Sequence, residues 1–188
     1  MSRRTTPRLL AVPAAVIAVV LSLTACADDS AGNAAEETTA QETSAQACET
    51  RADTAGAPEE ISTDLAEKPE VPATDAAPPC GLEISDVVVG EGPEAVAGAS
   101  VDVKYVGAFY GTGEEFDSSW SRGEEETLPV TVGAGQVIPG FEQAIEGMHV
   151  GGRRMVVIPS ELGYGSTARG PIPADSTLVF VLDLVQVA

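Results

Sequence analysis

Residues 133–154 read GAGQVIPGFEQAIEGMHVGGRR, and this stretch decides the fold. Phe141, Ala144, Ile145 and Met148 fall at i, i+3, i+4 and i+7, so a helix here has one apolar face. Pro139-Gly140 stand before that face, where the fixed φ of proline suits a first helical turn, and Gly151-Gly152 stand behind it. Gly133-Ala134-Gly135 lacks the third glycine of a dinucleotide loop and opens onto Val137-Ile138-Pro139, so it reads as the connection from a strand into the helix. No other part of the folded region reads as a helix.

Around this helix the chain reads as strands. Residues 82–89 form a first one, followed by the turn Gly90-Glu91-Gly92-Pro93. Val101, Val103, Tyr105, Gly107 and Phe109 alternate with Asp102, Lys104 and Val106, which predicts a half-buried strand with one polar face. Gly111-Thr112-Gly113 turns the chain, and Glu114 to Asp117 lead into a polar loop ending at Glu126. Residues 128–132 and 153–158 are two further strands, and 177–187 a long final one. Many strands with one short amphipathic helix predict an α+β domain over residues 80–188, an antiparallel sheet curled around that helix.

The residues before this domain differ in kind. Residues 1–8 carry Arg3, Arg4 and Arg8, residues 9–23 are apolar and uncharged, and Leu23-Thr24-Ala25-Cys26 closes the run. The expectation is a signal peptide over residues 1–25, cleaved before a lipidated Cys26 and leaving the protein anchored on the outer, extracytoplasmic face of the cell membrane. The apolar run is shorter than the roughly 20 residues a spanning helix needs. Thr5 and Thr6 follow the arginine pair where a twin-arginine signal wants apolar residues, which favours general secretion. From Ala27 to about Thr54 the residues are almost all small or polar, without apolar periodicity, and predict a disordered tether. Pro58, Pro69, Pro72, Pro78 and Pro79 then mark a stiffer linker up to residue 79, in which Ile61, Leu65 and Val71 are candidates to pack on the domain edge. An oxidising compartment permits a bridge between Cys48 and Cys80, with free thiols or a pairing to another protein as the alternatives.

The formal charge of −19 excludes a generic binder of nucleic acid or of anionic membrane surfaces. His149 is the only histidine, which leaves no Ser-His-Asp triad built elsewhere and no multi-histidine metal site; beside Val150-Gly151-Gly152 it reads as an exposed turn residue. Glu124-Glu125-Glu126 lacks the alternating ligands of a calcium loop and reads as a solvated one. Neither a cofactor nor a metal is expected.

What remains is a scattered set of aromatic and aliphatic positions with one carboxylate. Six segments carry it: Val103-Lys104-Tyr105-Val106-Gly107, Phe116-Asp117-Ser118-Ser119, residues 133–141, residues 147–154, Gly163-Tyr164-Gly165 and Thr177-Leu178-Val179-Phe180. Read by themselves, such aromatics are equally the packed core of any small sheet domain. In this order and spacing the segments resemble the FKBP-type family of peptidyl-prolyl cis-trans isomerases. The resemblance implies a proline pocket walled and floored by Tyr105, Phe116, Phe141 and Phe180, with Val137 and Ile138 on its rim. It implies that the Tyr164 hydroxyl and the Ile138 amide donate to a substrate carbonyl, and that Asp117 sits at the pocket edge, held by Arg122 and Tyr105. Leu128 and Val130 stand where family members often have Phe, and Phe141 where Trp is common, which implies a wider pocket. The loop after Tyr164 is about one residue short, with Ala168 or Arg169 where a His is sometimes seen.

The implied function is rotation of X-Pro bonds to assist folding of secreted or surface proteins. The alternative is a non-catalytic surface module of the same fold that holds proline segments or a partner. Proline-containing polypeptides, and macrolides of the rapamycin type, are the implied ligands of a monomer.

Overall fold

The computed structural model describes residues 60–188. The expected signal peptide, the lipidated Cys26, the tether and Cys48 lie outside the described residues. In chain order the strands are β1 (Glu83–Val88), β2 (Ser100–Phe109), β3 (Glu115–Ser118), β4 (Leu128–Thr131), β5 (Arg153–Ile158) and β6 (Leu178–Val187), with one α-helix, α1 (Pro139–Ile145), between β4 and β5. They form a single sheet in the order β1-β5-β6-β2-β3, and β4 shares the edge of β2 with β3. Every pairing is antiparallel, as expected for this class.

Along β6 the side chains alternate between two faces and both are covered. Leu178, Phe180, Leu182 and Leu184 join Val101, Val103 and Tyr105 of β2 and Val156 and Ile158 of β5 under the α1 face, where Phe141, Ala144 and Ile145 are buried. Met148, expected as the last apolar position of the helix, lies beyond it: the chain turns extended at Glu146, and Met148 is still buried, its N–H donating to the Ile145 carbonyl. Arg154 on β5 donates to the carbonyls of Ala144 (2.9 Å) and Glu146 (3.2 Å) and pairs with Asp86 of β1 at 2.6 Å, tying the C-terminal end of α1 to the sheet.

The opposite face corrects the reading of β2. Its polar alternation holds only from Ser100 to Tyr105; Val106 and Ala108 are as buried as the residues facing the helix. The cover comes from the expected linker. Ile61 is buried against Met155, Val157, Val179 and Val181, with Val71 packed on the same cluster, so sheet contacts begin upstream of the expected boundary at Cys80. Leu65 is half-buried. A sequence pattern reports which face is apolar and not what lies on it, so the two-sided burial was hidden. Cys80 is disulfide-bonded, so it is not a free thiol; Cys48, the partner the sequence suggests, lies outside the described residues.

Two local expectations change. The start of the expected polar loop is β3, an edge strand paired to β2 through a bulge between Gly107 and Ala108. His149 is half-buried rather than exposed, its Nδ1 2.9 Å from the Gly92 carbonyl.

Candidate active site

Four aromatic rings from four elements meet under one cleft. Tyr105 comes from β2, Phe116 from β3, Phe141 from the first turn of α1 and Phe180 from β6. Phe141 stands edge-on to Tyr105 (5.9 Å, 87°) and to Phe180 (5.2 Å, 88°), and Phe116 stands edge-on to Phe180 (5.6 Å, 84°). Edge-to-face pairs set the positive rim of one ring against the negative face of another, worth about 0.5–1.5 kcal/mol each beyond area burial. The cluster requires Gly107: a Cβ there would lie 2.8 Å from both Phe116 Cζ and Phe180 Cε1. Phe141, Phe180 and Tyr105 are buried and make the floor, while Phe116 is half-buried on the wall.

The cleft above them encloses about 580 Å³, within the usual range of small-ligand sites. Val137, Ile138, Leu128 and Tyr164 line it with the aromatics, all four half-buried. Ile138 caps the N-terminus of α1: its carbonyl accepts from the Phe141 and Glu142 amides, while its own N–H lies ahead of the helical ladder and is not consumed by it. Arg169 completes one side, its guanidinium 6.0 Å from the Tyr164 ring centre.

At the mouth, Tyr105, Asp117 and Arg122 bond to one another. The Tyr105 hydroxyl donates to Asp117 Oδ2 at 2.5 Å, while Arg122 donates to Asp117 Oδ1 and to the Tyr105 oxygen, each at 3.0 Å. Burial, and next the hydrogen bond to Asp117, push the Tyr105 hydroxyl above its ordinary pKa against the opposing pull of Arg122, so it remains a donor. The Asp117 and Arg122 side chains are 49% and 46% exposed. Asp117 is thus a half-exposed carboxylate at the mouth of the cleft. Asp117→Ala is therefore expected to change stability by less than about 1 kcal/mol. It should weaken ligand binding at the cleft, because the Tyr105 ring and the Arg122 fork lose their common partner. Urea denaturation alongside a binding titration measures both.

All eight expected pocket residues line this cleft, as does Leu128, and Arg122 reaches it through Asp117 and Tyr105. Val130 does not. It sits two residues further along β4, paired with Val101 and buried in the core, so it is no part of the wall. Gln136, Thr167 and Gly163 line the cleft without having been expected. Gln136 accepts from the Thr131 amide at 2.7 Å and folds the connection back onto β4. Its position directly before Val137-Ile138 was the available signal; loop residues such as Thr167 carry no periodicity to find them by.

An aromatic floor under a hydrogen-bonding rim suits seating an apolar ring while the rim orients the groups beside it. Residues 92–185 match the family of FKBP-type peptidyl-prolyl cis-trans isomerases. The chain is 50% identical over 123 residues to an FK506-binding protein of Streptomyces anulatus, covering 64% of this chain and 98% of that one. It is 45% identical over 120 residues to a probable FK506-binding protein of Corynebacterium glutamicum, with the same coverage. The crystal structure of AtFKBP13 superposes with a TM-score of 0.53 at 38% identity, covering 59% of this chain and 96% of that one. The chain belongs to the FKBP-type peptidyl-prolyl cis-trans isomerase family and is an isomerase of X-Pro peptide bonds. No similarity found favours the non-catalytic alternative. The match to the Streptomyces protein is longer than residues 80–188, so the likeness extends upstream into the segment packed on the outer face.

Proposed function

We propose that the cleft over Phe141 is the prolyl site and that its residues divide the work as follows. The proline ring sits on Phe141 between Tyr105, Phe116 and Phe180. The Tyr164 hydroxyl and the Ile138 N–H hold the carbonyls that flank it. The observation that carries this reading is the convergence on one cleft of four rings from four elements and two polar donors from the connections before α1 and before β6.

The chemistry follows from the amide. Its planar form is stabilised by resonance and rotation costs about 18–20 kcal/mol, so uncatalysed exchange takes tens of seconds or longer. In the twisted transition state the carbonyl loses negative charge and the proline nitrogen becomes pyramidal. An apolar floor disfavours the more polar planar form relative to the twisted one, and a ring seated against Phe141 is already oriented. Each factor of ten in rate asks for only about 1.4 kcal/mol.

The same cleft is proposed to bind macrolides of the FK506 or rapamycin type, as the names of the relatives suggest for those proteins. Tyr164→Phe tests the polar handle. It should weaken macrolide binding roughly fivefold, the worth of one hydrogen bond of about 1 kcal/mol, while the melting temperature stays near wild type. A large loss of stability would make Tyr164 a core residue instead. Turnover itself is read by protease-coupled cis-trans exchange of a leucyl-prolyl peptide, and a macrolide should inhibit it.

The clients are proposed to be secreted or surface proteins, with the isomerase held at the outer face of the membrane by lipid on Cys26. Arg3, Arg4 and Arg8, the apolar residues 9–23 and Leu23-Thr24-Ala25-Cys26 support this reading. With Cys26 lipidated, Cys48 is the cysteine left to pair with Cys80. Cys26→Ala should move the protein from the detergent phase to the aqueous phase in a partitioning experiment; wild-type protein found in the aqueous phase would remove the anchor.

A further inference from the structure

Residues 60–79 precede residues 92–185, over which the family's own pattern matches, yet they are tied to the sheet at both ends of their path. At one end they meet Arg153, whose side chain is fully buried and paired with Asp183 through Nε at 2.6 Å and Nη2 at 2.7 Å. The other N–H groups of that rigid fork donate to the carbonyls of Ser62 (2.7 Å), Asp64 (3.1 Å) and Glu67 (3.0 Å). At the other end they meet the β2–β3 hairpin. Lys68 pairs with Glu115 at 2.7 Å, the Thr74 amide donates to the Gly111 carbonyl at 3.1 Å, and the Tyr110 hydroxyl donates to the Ala77 carbonyl at 3.3 Å. The approach is so close that a Cβ on Gly113, at φ +67°, would lie 2.4 Å from the Val71 carbonyl oxygen.

That hairpin carries the cleft wall. β3 is four residues long, pairs with β2 through a bulge, and holds both Phe116 and Asp117. The Phe116 ring packs on Phe109 at 5.3 Å on one side and on Phe180 at 5.6 Å on the other. A short bulged edge strand is the kind of element that opens locally at low free energy. The upstream segment supplies a second hold on it from the face away from α1.

We propose that residues 68–77 are a positioning strap for the isomerase site: held by the buried Arg153 fork and laid on the β2–β3 hairpin, they keep Phe116 and Asp117 at the geometry the cleft needs. The strap residues touch no substrate; they act through Phe116 and Asp117, and the inference rests on the reading of the cleft as the prolyl site. Val71 faces Val106, Gly113 and Glu115 across the seam. Val71→Asp therefore sets a carboxylate against Glu115 and should lift the strap, whereas Val71→Ile should behave as wild type. Thr74→Pro removes the N–H that meets Gly111 and adds no charge.

In the full chain at about 10 °C, where uncatalysed exchange is slow, Val71→Asp and Thr74→Pro should lower kcat/KM by about tenfold or less, the scale of a small misplacement of a reacting geometry. Amide hydrogen exchange at 115–118 should quicken in both. Val101→Ala, a cavity at the far end of β2, should lower the melting temperature and leave kcat/KM unchanged. Unchanged turnover and exchange in both strap variants would overturn the proposal. So would an equal loss of activity in Val101→Ala, because the effect would then be general destabilisation. Unchanged turnover in Phe116→Ala would remove Phe116 from the site and the proposal with it, a failure of the cleft reading that the strap variants alone do not produce.

Discussion

Phe141→Ala is expected to lower kcat/KM for a leucyl-prolyl peptide by about a hundredfold and to destabilise the domain by about 3–5 kcal/mol. Both effects arise because this ring is shared between core and cleft. It is 3% exposed and stands edge-on to Tyr105 and Phe180, so truncation removes the floor under the substrate and leaves a cavity among the core residues of β2 and β6. Since small domains hold only about 5–15 kcal/mol in all, the rate is best measured at about 10 °C, far below the melting transition. Phe141→Leu separates the two contributions. It refills much of the volume and should recover most of the stability, while a floor without an aromatic face should recover less of the rate. Full activity in Phe141→Ala with native near-ultraviolet dichroism would move the prolyl site elsewhere.

Arg153→Leu is expected to cost about 3–5 kcal/mol, the usual result of removing one partner from a buried ion pair. Asp183 would lose its guanidinium partner with a side chain only 7% exposed, and the carbonyls of Ser62, Asp64 and Glu67 would lose their donor together. The loss should depend on pH in a definite direction. Burial already pushes the Asp183 carboxyl above its ordinary value, against the pull of the Arg153 guanidinium. Without Arg153 the folded-state value rises further, so the folded protein holds a proton that the unfolded chain has released. Stability of the variant relative to wild type is then best below the unfolded carboxylate value of about 3.9 and falls as pH rises through the raised folded value. Urea denaturation of both proteins at about pH 4.5 and pH 7 tests this, the penalty being smaller at the lower pH. A penalty that grows towards acid pH would contradict the account. Replacing Asp183 as well, by Leu, should recover part of the loss, because no buried charge is then left alone.

These two residues differ in how visible they were. Phe141 was legible because it begins a run at i, i+3, i+4 and i+7 after Pro139, and such a run predicts a helix, its buried face and its start. The five strands read in the sequence appear with ends shifted by at most a residue, and only β3 was missed, since Glu115 to Ser118 is too short and too polar to stand out. Arg153 was placed on a strand but not given a role. Its partners are Asp183, thirty positions on, and carbonyls about ninety positions back, and no local pattern carries either relation. Val130 went the other way. The resemblance set it beside Leu128 on the pocket wall, yet which way a strand residue faces depends on what packs across from it. The structure puts Val130 beside Val101 at the edge of β2, buried in the core.

The sequence by itself determined the α+β class, the helix and its buried face, the order of the strands along the chain, and the residue types of the cleft. These are properties of spacing and of side-chain chemistry, and spacing is local. Only the tertiary structure decided that Val130 stands outside the cleft, buried in the core beside Val101. The sequence offered Ile61, Leu65 and Val71 of the linker as packing on a domain edge, and the structure decided that residues 60–79 lie over the outer face of the sheet and bind the buried Arg153. The physical reason is that a buried donor or an apolar face states a requirement in the sequence, while the group that meets it is chosen by the fold.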